Sequence, residues 1–550
     1  MKRLQLLIFA IVIVNISFAQ VASNSYRLYL TDKNNNTYSV DNPEDFLSQQ
    51  AINRRLKQDI DIKLNDLPIS KFYLDSLKNL GLVILNKSKW LNTVVVQTNN
   101  QDLIDTITKI GFIKSKQKTS SFLKQNSYKT SFEKKDLTIL SKNDDPLDYG
   151  YATSQISMLN GHVLHQNGYK GQGITIAVID AGFLDVDLLP AFESLRTNHQ
   201  ILGTKDFVDG DEHVFDTSNS SHGMKVLSTM GGNIPGELIG TAPKANYWLL
   251  RSEEASTEYS IEEDNWAAAA EFADSVGADI ITSSLGYSEF DDSSQDYTYS
   301  DMDGNTTFIT KAADFAASKG ILVLNSAGNQ GDDPWKYISA PGDGDSVLTV
   351  GAVDAFATYA YFSGVGPTFD GRIKPNVAAM GYQTTVQGVD GSITVANGTS
   401  FSTPIMAGMA ACLWQYFPEL NNMELIQKIE ESAHQYSNPD YKLGYGIPDF
   451  GKAANLINTD IHSFTEKTFL KIYPNPFYSY INIELLQKSN ETVTVELYSI
   501  IGKKIMEIQK PLMGQTNIEL YNLEDLSTGI YLIKIEIGNE TFQERIIKIN

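Results

Sequence analysis

The chain has 550 residues, 42% of them apolar, with a formal net charge of −22 and a sequence pI of about 4.7. That length is too great for one ordinary domain and suggests three or four, and the acidic balance argues against nucleic-acid binding, which calls for a basic face. One cysteine, Cys412, excludes an intrachain disulfide and gives little support to a cysteine nucleophile or a cysteine-based zinc site; in the stretch IMAGMAACLW it reads as a small core residue.

Lys2 and Arg3 precede an apolar run from Leu4 to Val14, and Ser17-Phe18-Ala19 offers small residues for cleavage. This is the pattern of a secretory signal peptide over residues 1–19. The run is shorter than the ~20 residues that span a bilayer, and no later segment has a comparable uncharged length, so no stable membrane span is expected. Residues 20–147 follow as a first unit. YRLYL and TVVVQT read as strands, and SKFYLDSLKNLG and QDLIDTITKIG as amphipathic helices, which suggests a small α+β sandwich. From Ser115 onward its Lys- and Ser-rich tail reads as an exposed linker, the kind of segment proteases cut.

Over residues 150–456 the texture changes. ITIAVID, NYWLL, ADIITSSLG, ILVLNSAGN and VLTVGAV are short apolar runs ending in polar or glycine residues, and DNWAAAAEFADSVG and ITKAADFAASKG are helical segments between them. Apolar strands alternating with Ala-rich helices imply a parallel sheet covered on both faces. In such a sheet the chemistry sits at the carboxyl ends of the strands, where Asp180, Gly286 and Asn329 fall. Residues 457–468 read as a linker, and residues 469–550 as a small antiparallel β domain, expected to be a β-sandwich. Tyr531, Ile533, Ile535 and Ile537 alternate with more polar neighbours there, and Gly538-Asn539 suits a hairpin turn.

Four residues of the middle domain are candidates for chemistry, each with a plain structural alternative. Asp180 ends the most apolar strand, where an Asp also serves as a turn residue or helix cap. His222, in SSHGMKVLSTMGG, falls at the first turn of a helix whose buried stripe is Val226, Leu227 and Met230; taken singly, it is an ordinary surface or core histidine. Asn329, flanked by glycines at a strand end, offers an amide to a developing oxyanion or closes a turn. Ser400, in NGTSFSTP, begins a helix-like segment, where the dipole and its own N–H favour a nucleophile and where a serine also caps; Pro404 suits the first turn of that helix.

Together the four are far more specific. The order Asp180, His222, Ser400, with Asn329 between the last two, resembles that of the subtilisin-like serine proteases. The stretches AVIDAGF, SSHGMKVLSTMGG, ITSSLGYS, LVLNSAGNQG and NGTSFSTPIMAGMAA carry the resemblance. It implies a subtilisin-like three-layer α/β domain with a parallel sheet, acting as a secreted serine endopeptidase. Ser400 would be the nucleophile, His222 the base and then acid, Asp180 the residue that orients His222, and Asn329 with the Ser400 N–H the oxyanion hole. Ser284-Leu285-Gly286 resembles the strand that pairs with extended substrate. Met224 and Phe401 depart from the Thr and Met the family often has there; neither removes a reacting group.

The flanking units are similar, respectively, to the propeptides of these enzymes, which block the cleft until cut away, and to C-terminal sorting domains of the type IX secretion route. Secretion or display at the cell surface, with the chain's own propeptide, that export machinery and protein or peptide substrates as partners, is what they imply. The competing reading is a catalytically inactive binding or adhesion protein on the same fold. No cofactor is needed for the chemistry. Structural Ca²⁺ is left open: the carboxylate-rich stretch DFVDGDEHVFD, residues 206–216, lacks the full calcium-loop pattern and reads better as a solvated loop.

Overall fold

The computed structural model describes residues 24–120, 147–216, 220–455 and, with short gaps, 470–548. The expected signal peptide over 1–19, the linker over 457–468, the Gly538-Asn539 turn and most of the Lys- and Ser-rich tail lie outside the described residues. The chain forms two compact units that divide after Ile457.

In the first unit, residues 24–120 build an antiparallel sheet from β1 (Asn24–Leu30), β2 (Val83–Ser88), β3 (Thr93–Thr98) and β4 (Ile113–Ser120), in the order β2-β3-β1-β4. The alternation of a strand explains its two faces. Tyr26, Leu28 and Leu30 of β1 join Val94 and Val96 of β3 in a core closed by Tyr73 and Leu77 of the helix Lys71–Asn79, while Arg27 points the other way. The linker expected to start at Ser115 is here corrected: residues 115–120 belong to β4, with Lys116 opposite Leu28 and Lys118 opposite Tyr26. β4 is an edge strand, so lysines and serines suit it, and its composition hid it from a reading by apolar alternation. Its buried end is fixed by polar groups, Ser25 Oγ lying 3.0 Å from Thr119 Oγ1 and 2.6 Å from Ser120 Oγ.

Residues 150–455 build a second sheet of seven parallel strands: β5 (Thr175–Asp180), β6 (Ile201–Asp206), β7 (Asn246–Arg251), β8 (Ile280–Ser283), β9 (Leu322–Ser326), β10 (Val347–Val353) and β11 (Val377–Met380), in the order β11-β10-β9-β8-β5-β7-β6. Alternate residues feed two cores. Ile176 and Val178 face the helices α1 (His222–Gly231) and α2 (Thr399–Tyr416), and Ala177 and Ile179 face α3 (Ile261–Val276) and α4 (Phe308–Ser318). The expected three layers are present.

The small sheet packs against α3, and the charged residues of that helix explain how. Arg27 donates from Nε and Nη2 to Asp264 at 2.7 Å each and stacks 3.5 Å from the Phe308 ring centroid. Glu271 accepts from Ser88 Oγ at 2.5 Å, Lys89 N at 2.8 Å and Trp90 N at 2.9 Å. Burial works to raise the pKa of Asp274, but Lys89, Arg55 and Arg54 outweigh it and hold the carboxylate below its ordinary range. Carboxylates this deep are tolerated because each is paired.

The second unit is a small β structure of two antiparallel sheets that share a core around Phe477, Ile483, Val495, Leu497 and Ile533. Among the described residues no helix is long and apolar enough to cross a membrane.

Candidate active site

Asp180 is the last residue of β5, Ser284 follows β8, and Asn329 lies three residues beyond β9, all at the carboxyl edge of the large sheet. His222 is the first residue of α1, its backbone N–H donating to Ser220 Oγ at 3.1 Å. Gly223 lets the helix begin there: a Cβ at that position would stand 2.6 Å from Gly182 O and 2.9 Å from Asp180 Cβ. The close approach brings His222 Nδ1 to 2.8 Å from Asp180 Oδ1. A carboxylate only accepts, so Nδ1 carries the proton and Nε2 is left with its lone pair.

Asp180 is fully buried, and its Oδ1 also accepts from Ala181 N at 2.7 Å. Burial works to lower the pKa of His222, but the charge of Asp180 and its hydrogen bond outweigh burial, and the net shift is upward. Asp180 therefore sets both the tautomer and the basicity of His222.

Ser400 is the second residue of α2, after Gly398, whose φ of +146° favours glycine. The expectation that Pro404 sits in the first turn needs correction. It is the sixth residue of the helix, one turn in. Proline lacks the N–H that would serve the carbonyl four residues back, which is that of Ser400. Ser284 Oγ takes over, donating to Ser400 O at 2.9 Å. Ser400 Oγ lies 3.5 Å from Ser284 O, and no hydrogen bond joins it to His222 among the described residues. Catalytic hydrogen bonds often tighten only in a complex. The Phe401 ring, 5.9 Å from that of His222, packs at the same corner.

Asn329 Oδ1 accepts from Thr399 N at 2.9 Å and Thr399 Oγ1 at 3.0 Å. That grip turns the carboxamide so that Nδ2 stands 3.5 Å from where a Cβ on Gly398 would be, beside the start of α2. Leu285 and Gly286 are partly exposed, and Leu285 O accepts from Asn325 Nδ2 at 3.0 Å. Asp180, His222, Ser400, Asn329, Ser284, Leu285 and Gly286 thus come together at one corner of the sheet. The arrangement can hold a proton on one side of a serine hydroxyl and an amide donor on the other.

Two features escaped the sequence. Thr399 positions Asn329, a role visible only once strand and helix ends meet. Three carboxylates, Glu253 and Glu258 in the connection from β7 to α3 and Glu262 in the first turn of α3, bring ligand atoms within 4.8 Å of one another and are, among the described residues, a group that could hold a cation. Burial pushes Glu253 up to about 7, against hydrogen bonds from Tyr287 OH and Ser252 Oγ. In the stretch 206–216 the carboxylates do not gather in this way among the described residues; Asp206 is taken by Arg251 Nη1 at 2.7 Å and by the N–H groups of Val208 and Asp209.

Comparison with known proteins locates three matches along the chain. The profile of the Subtilase family matches residues 171–446, that of the Peptidase S8 propeptide domain of Bacteroidota residues 25–136, and that of the Secretion system C-terminal sorting domain residues 471–550. Subtilisin NAT of Bacillus subtilis subsp. natto is 30% identical over 58% of this chain and 77% of its own. Subtilisin E of Bacillus subtilis is 29% identical over the same shares. The crystal structure of the epidermin leader peptide processing serine protease of Staphylococcus aureus aligns with 80% of this chain and 99% of its own at a TM-score of 0.52 and 16% identity, a likeness of fold.

Proposed function

The chain belongs to the subtilase family, a serine endopeptidase made as a precursor for export with a propeptide and a C-terminal sorting domain, and from that premise we propose that Asp180, His222 and Ser400 are its catalytic triad and Asn329 its oxyanion donor. The observation that carries this reading is the 2.8 Å hydrogen bond from His222 Nδ1 to Asp180, which leaves Nε2 as a base on the side of the α2 N-terminus.

The chemistry follows from the groups. Nε2 of neutral His222 takes the Ser400 proton as Oγ attacks the scissile carbonyl carbon. The carbonyl π electrons move to oxygen, and the resulting oxyanion is met by Asn329 Nδ2–H and the Ser400 N–H. The tetrahedral intermediate collapses, the C–N bond breaks, and the imidazolium returns its proton to the leaving amine. Water, deprotonated by the same nitrogen, then attacks the acyl carbon, the bond from that carbon to Ser400 Oγ breaks, and Nε2 returns the proton to Oγ. Asp180 stays ionised throughout and stabilises the imidazolium. The partly exposed Ser284-Leu285-Gly286 segment pairs with extended substrate, and the unit over residues 24–120 keeps the precursor inactive until the chain is cut between it and the peptidase domain.

Structural Ca²⁺ is a separate proposal, with Glu253, Glu258 and Glu262 as the donors; isothermal titration of the purified protein with Ca²⁺, with and without Glu262→Gln, tests it.

Labelling with a serine-reactive phosphonate followed by peptide mapping tests the catalytic assignment. The label should sit on Ser400, and Ser400→Ala should fold and lose about 10⁶ in kcat, the loss seen when the serine of a subtilisin is removed. A folded Ser400→Ala enzyme with near-normal peptidase activity sinks the assignment.

A further inference from the structure

Between β2 and α3 the structure leaves a cleft of about 570 Å³, a size suited to a small ligand. Its floor is one face of α3, where Ala268, Glu271, Phe272 and Ser275 recur at the spacing of successive turns. Its roof is β2 with Phe46 and Leu74. Polar bonds set the distance between the two. Asn86 Nδ2 donates to Phe207 O at 3.1 Å, Lys89 Nζ to Ser275 Oγ at 3.0 Å, and Ser48 N to Ser275 O at 2.9 Å. With the roof pinned to the floor by these bonds, the side chains between them leave the gap unfilled.

The lining is largely apolar, with cations at the mouth. The pairing of β2 with β3 slips between Ile84 and Asn86, which leaves Leu85 as an extra, unpaired residue. Such a bulge re-aims a side chain. Ile84 and Leu85 both line the cleft, and Leu85 stays 38% exposed. On the other side the Phe207 and Phe272 rings meet edge to face, 6.0 Å apart. Of the charged residues in the lining, Glu271 and Lys89 already have partners inside the protein. Lys78 and Lys87 are exposed and form no ion pair among the described residues. Two unmatched cations beside an apolar cleft stand out in a chain with a formal net charge of −22.

We propose that this cleft binds one molecule of an alkyl carboxylate, with the alkyl chain between β2 and α3 and the carboxylate at Lys78 and Lys87. The apolar lining gives the chain a place out of water, and the two lysines give the charge a counter-charge without burying it. A gap between a strand and a helix admits a single molecule and not a bilayer, so the ligand is the free carboxylate. The cleft exists only while residues 24–120 lie on α3. A molecule that touches both therefore binds the joined form and strengthens its hold, as any ligand stabilises the state that binds it. The binding step does not depend on the roles assigned to Asp180, His222 and Ser400.

The test titrates the full-length Ser400→Ala chain with octanoate, decanoate and decanol, each below the concentration at which it self-associates. Decanoate should bind one per chain, raise the thermal midpoint, and slow hydrogen exchange in residues 83–88 and 261–276. Its Kd should be about fifteenfold below that of octanoate, since each buried CH₂ supplies about fourfold. Lys78→Gln with Lys87→Gln, both at exposed positions, should weaken decanoate about fivefold and leave decanol unchanged. Ala268→Trp fills the floor and should abolish binding of both. No saturable binding of decanoate overturns the proposal. So does binding that survives Ala268→Trp or that the lysine pair does not affect, which would place the site elsewhere. Capture of the chain by anionic phospholipid vesicles without binding of free decanoate overturns it as well.

Discussion

Ser284 Oγ donates to the carbonyl of Ser400 at 2.9 Å, tying the segment proposed to pair with substrate to the proposed nucleophile. The bond exists because Pro404 cannot serve that carbonyl within the helix. One serine thus links the position of the peptide to be cut to the position of the hydroxyl that would cut it. Ser284→Ala should leave Ser400 O buried with an unmet lone pair, lowering stability by about 1 to 3 kcal/mol and letting the first turn of α2 shift. We expect kcat to fall about tenfold, and Ser284→Thr to restore most of it. Thermal unfolding and steady-state kinetics on the same preparations check both parts; a loss of stability with kcat intact would make Ser284 a structural residue alone.

Much of this corner is legible in the sequence, because chemistry and strand ends mark the same positions. Asp180 and Asn329 lie at the ends of apolar runs, and His222 and Ser400 at helix starts flanked by glycine. What was not legible depends on distant partners. Residues 115–120 look like linker because an edge strand with charged and hydroxyl side chains carries no apolar alternation. Pro404 looks like a first-turn proline until Ser284 is found on its orphaned carbonyl. Glu271 and Asp274 sit on an Ala-rich helix whose sequence does not show that residues 54–90 of the same unit cover them.

That cover gives a second prediction. Arg27 and Asp264 are both buried and joined by two 2.7 Å bonds. Arg27→Ala leaves Asp264 buried without its partner, a loss of about 3 to 5 kcal/mol. In a Ser400→Ala precursor, which should stay uncut, Arg27→Ala should loosen the hold of residues 24–120 on α3. Hydrogen exchange across β1 should then rise by roughly 10²- to 10³-fold, and adding Asp264→Asn should recover part of the loss. Unchanged protection of β1 would mean that the apolar and backbone contacts carry the interface without this pair.

A third prediction concerns pH. His222 acts as a base only when neutral, and its pKa is raised, because Asp180 outweighs the opposing effect of burial. The imidazolium therefore persists to higher pH than in a free histidine, and kcat/KM should rise with pH through a midpoint above ~6.5. Asp180→Asn removes the charge that favours the imidazolium, so the midpoint should move down. The same change spoils the tautomer, and kcat should fall by about 10⁴. A pH profile of wild type and variant checks the direction. A wild-type rate highest near pH 4 would contradict the scheme, since His222 would then be charged.

The last prediction separates the two ends of the Asn329 carboxamide. Oδ1 is occupied by the N–H and hydroxyl of Thr399, so the group cannot turn without breaking both bonds, and Nδ2 is the end left for substrate. A neutral amide there meets negative charge without disturbing the protonation of His222, and it matters most when the carbonyl oxygen becomes an oxyanion. Asn329→Ala should lower kcat by roughly 10² to 10³, about 2.7 to 4 kcal/mol, the loss that follows removal of one such donor from a subtilisin, with little change in KM. Asn329→Asp should be worse, because a carboxylate repels the developing charge. Thr399→Val keeps the backbone bond to Oδ1 and loses the hydroxyl bond, so the amide should remain in place with more freedom, and kcat should fall about tenfold, again with KM nearly constant. The three variants are therefore ordered, Asn329→Asp below Asn329→Ala below Thr399→Val. A raised KM with unchanged kcat in Asn329→Ala would make the residue a ground-state contact and move the search for the oxyanion donor to the backbone.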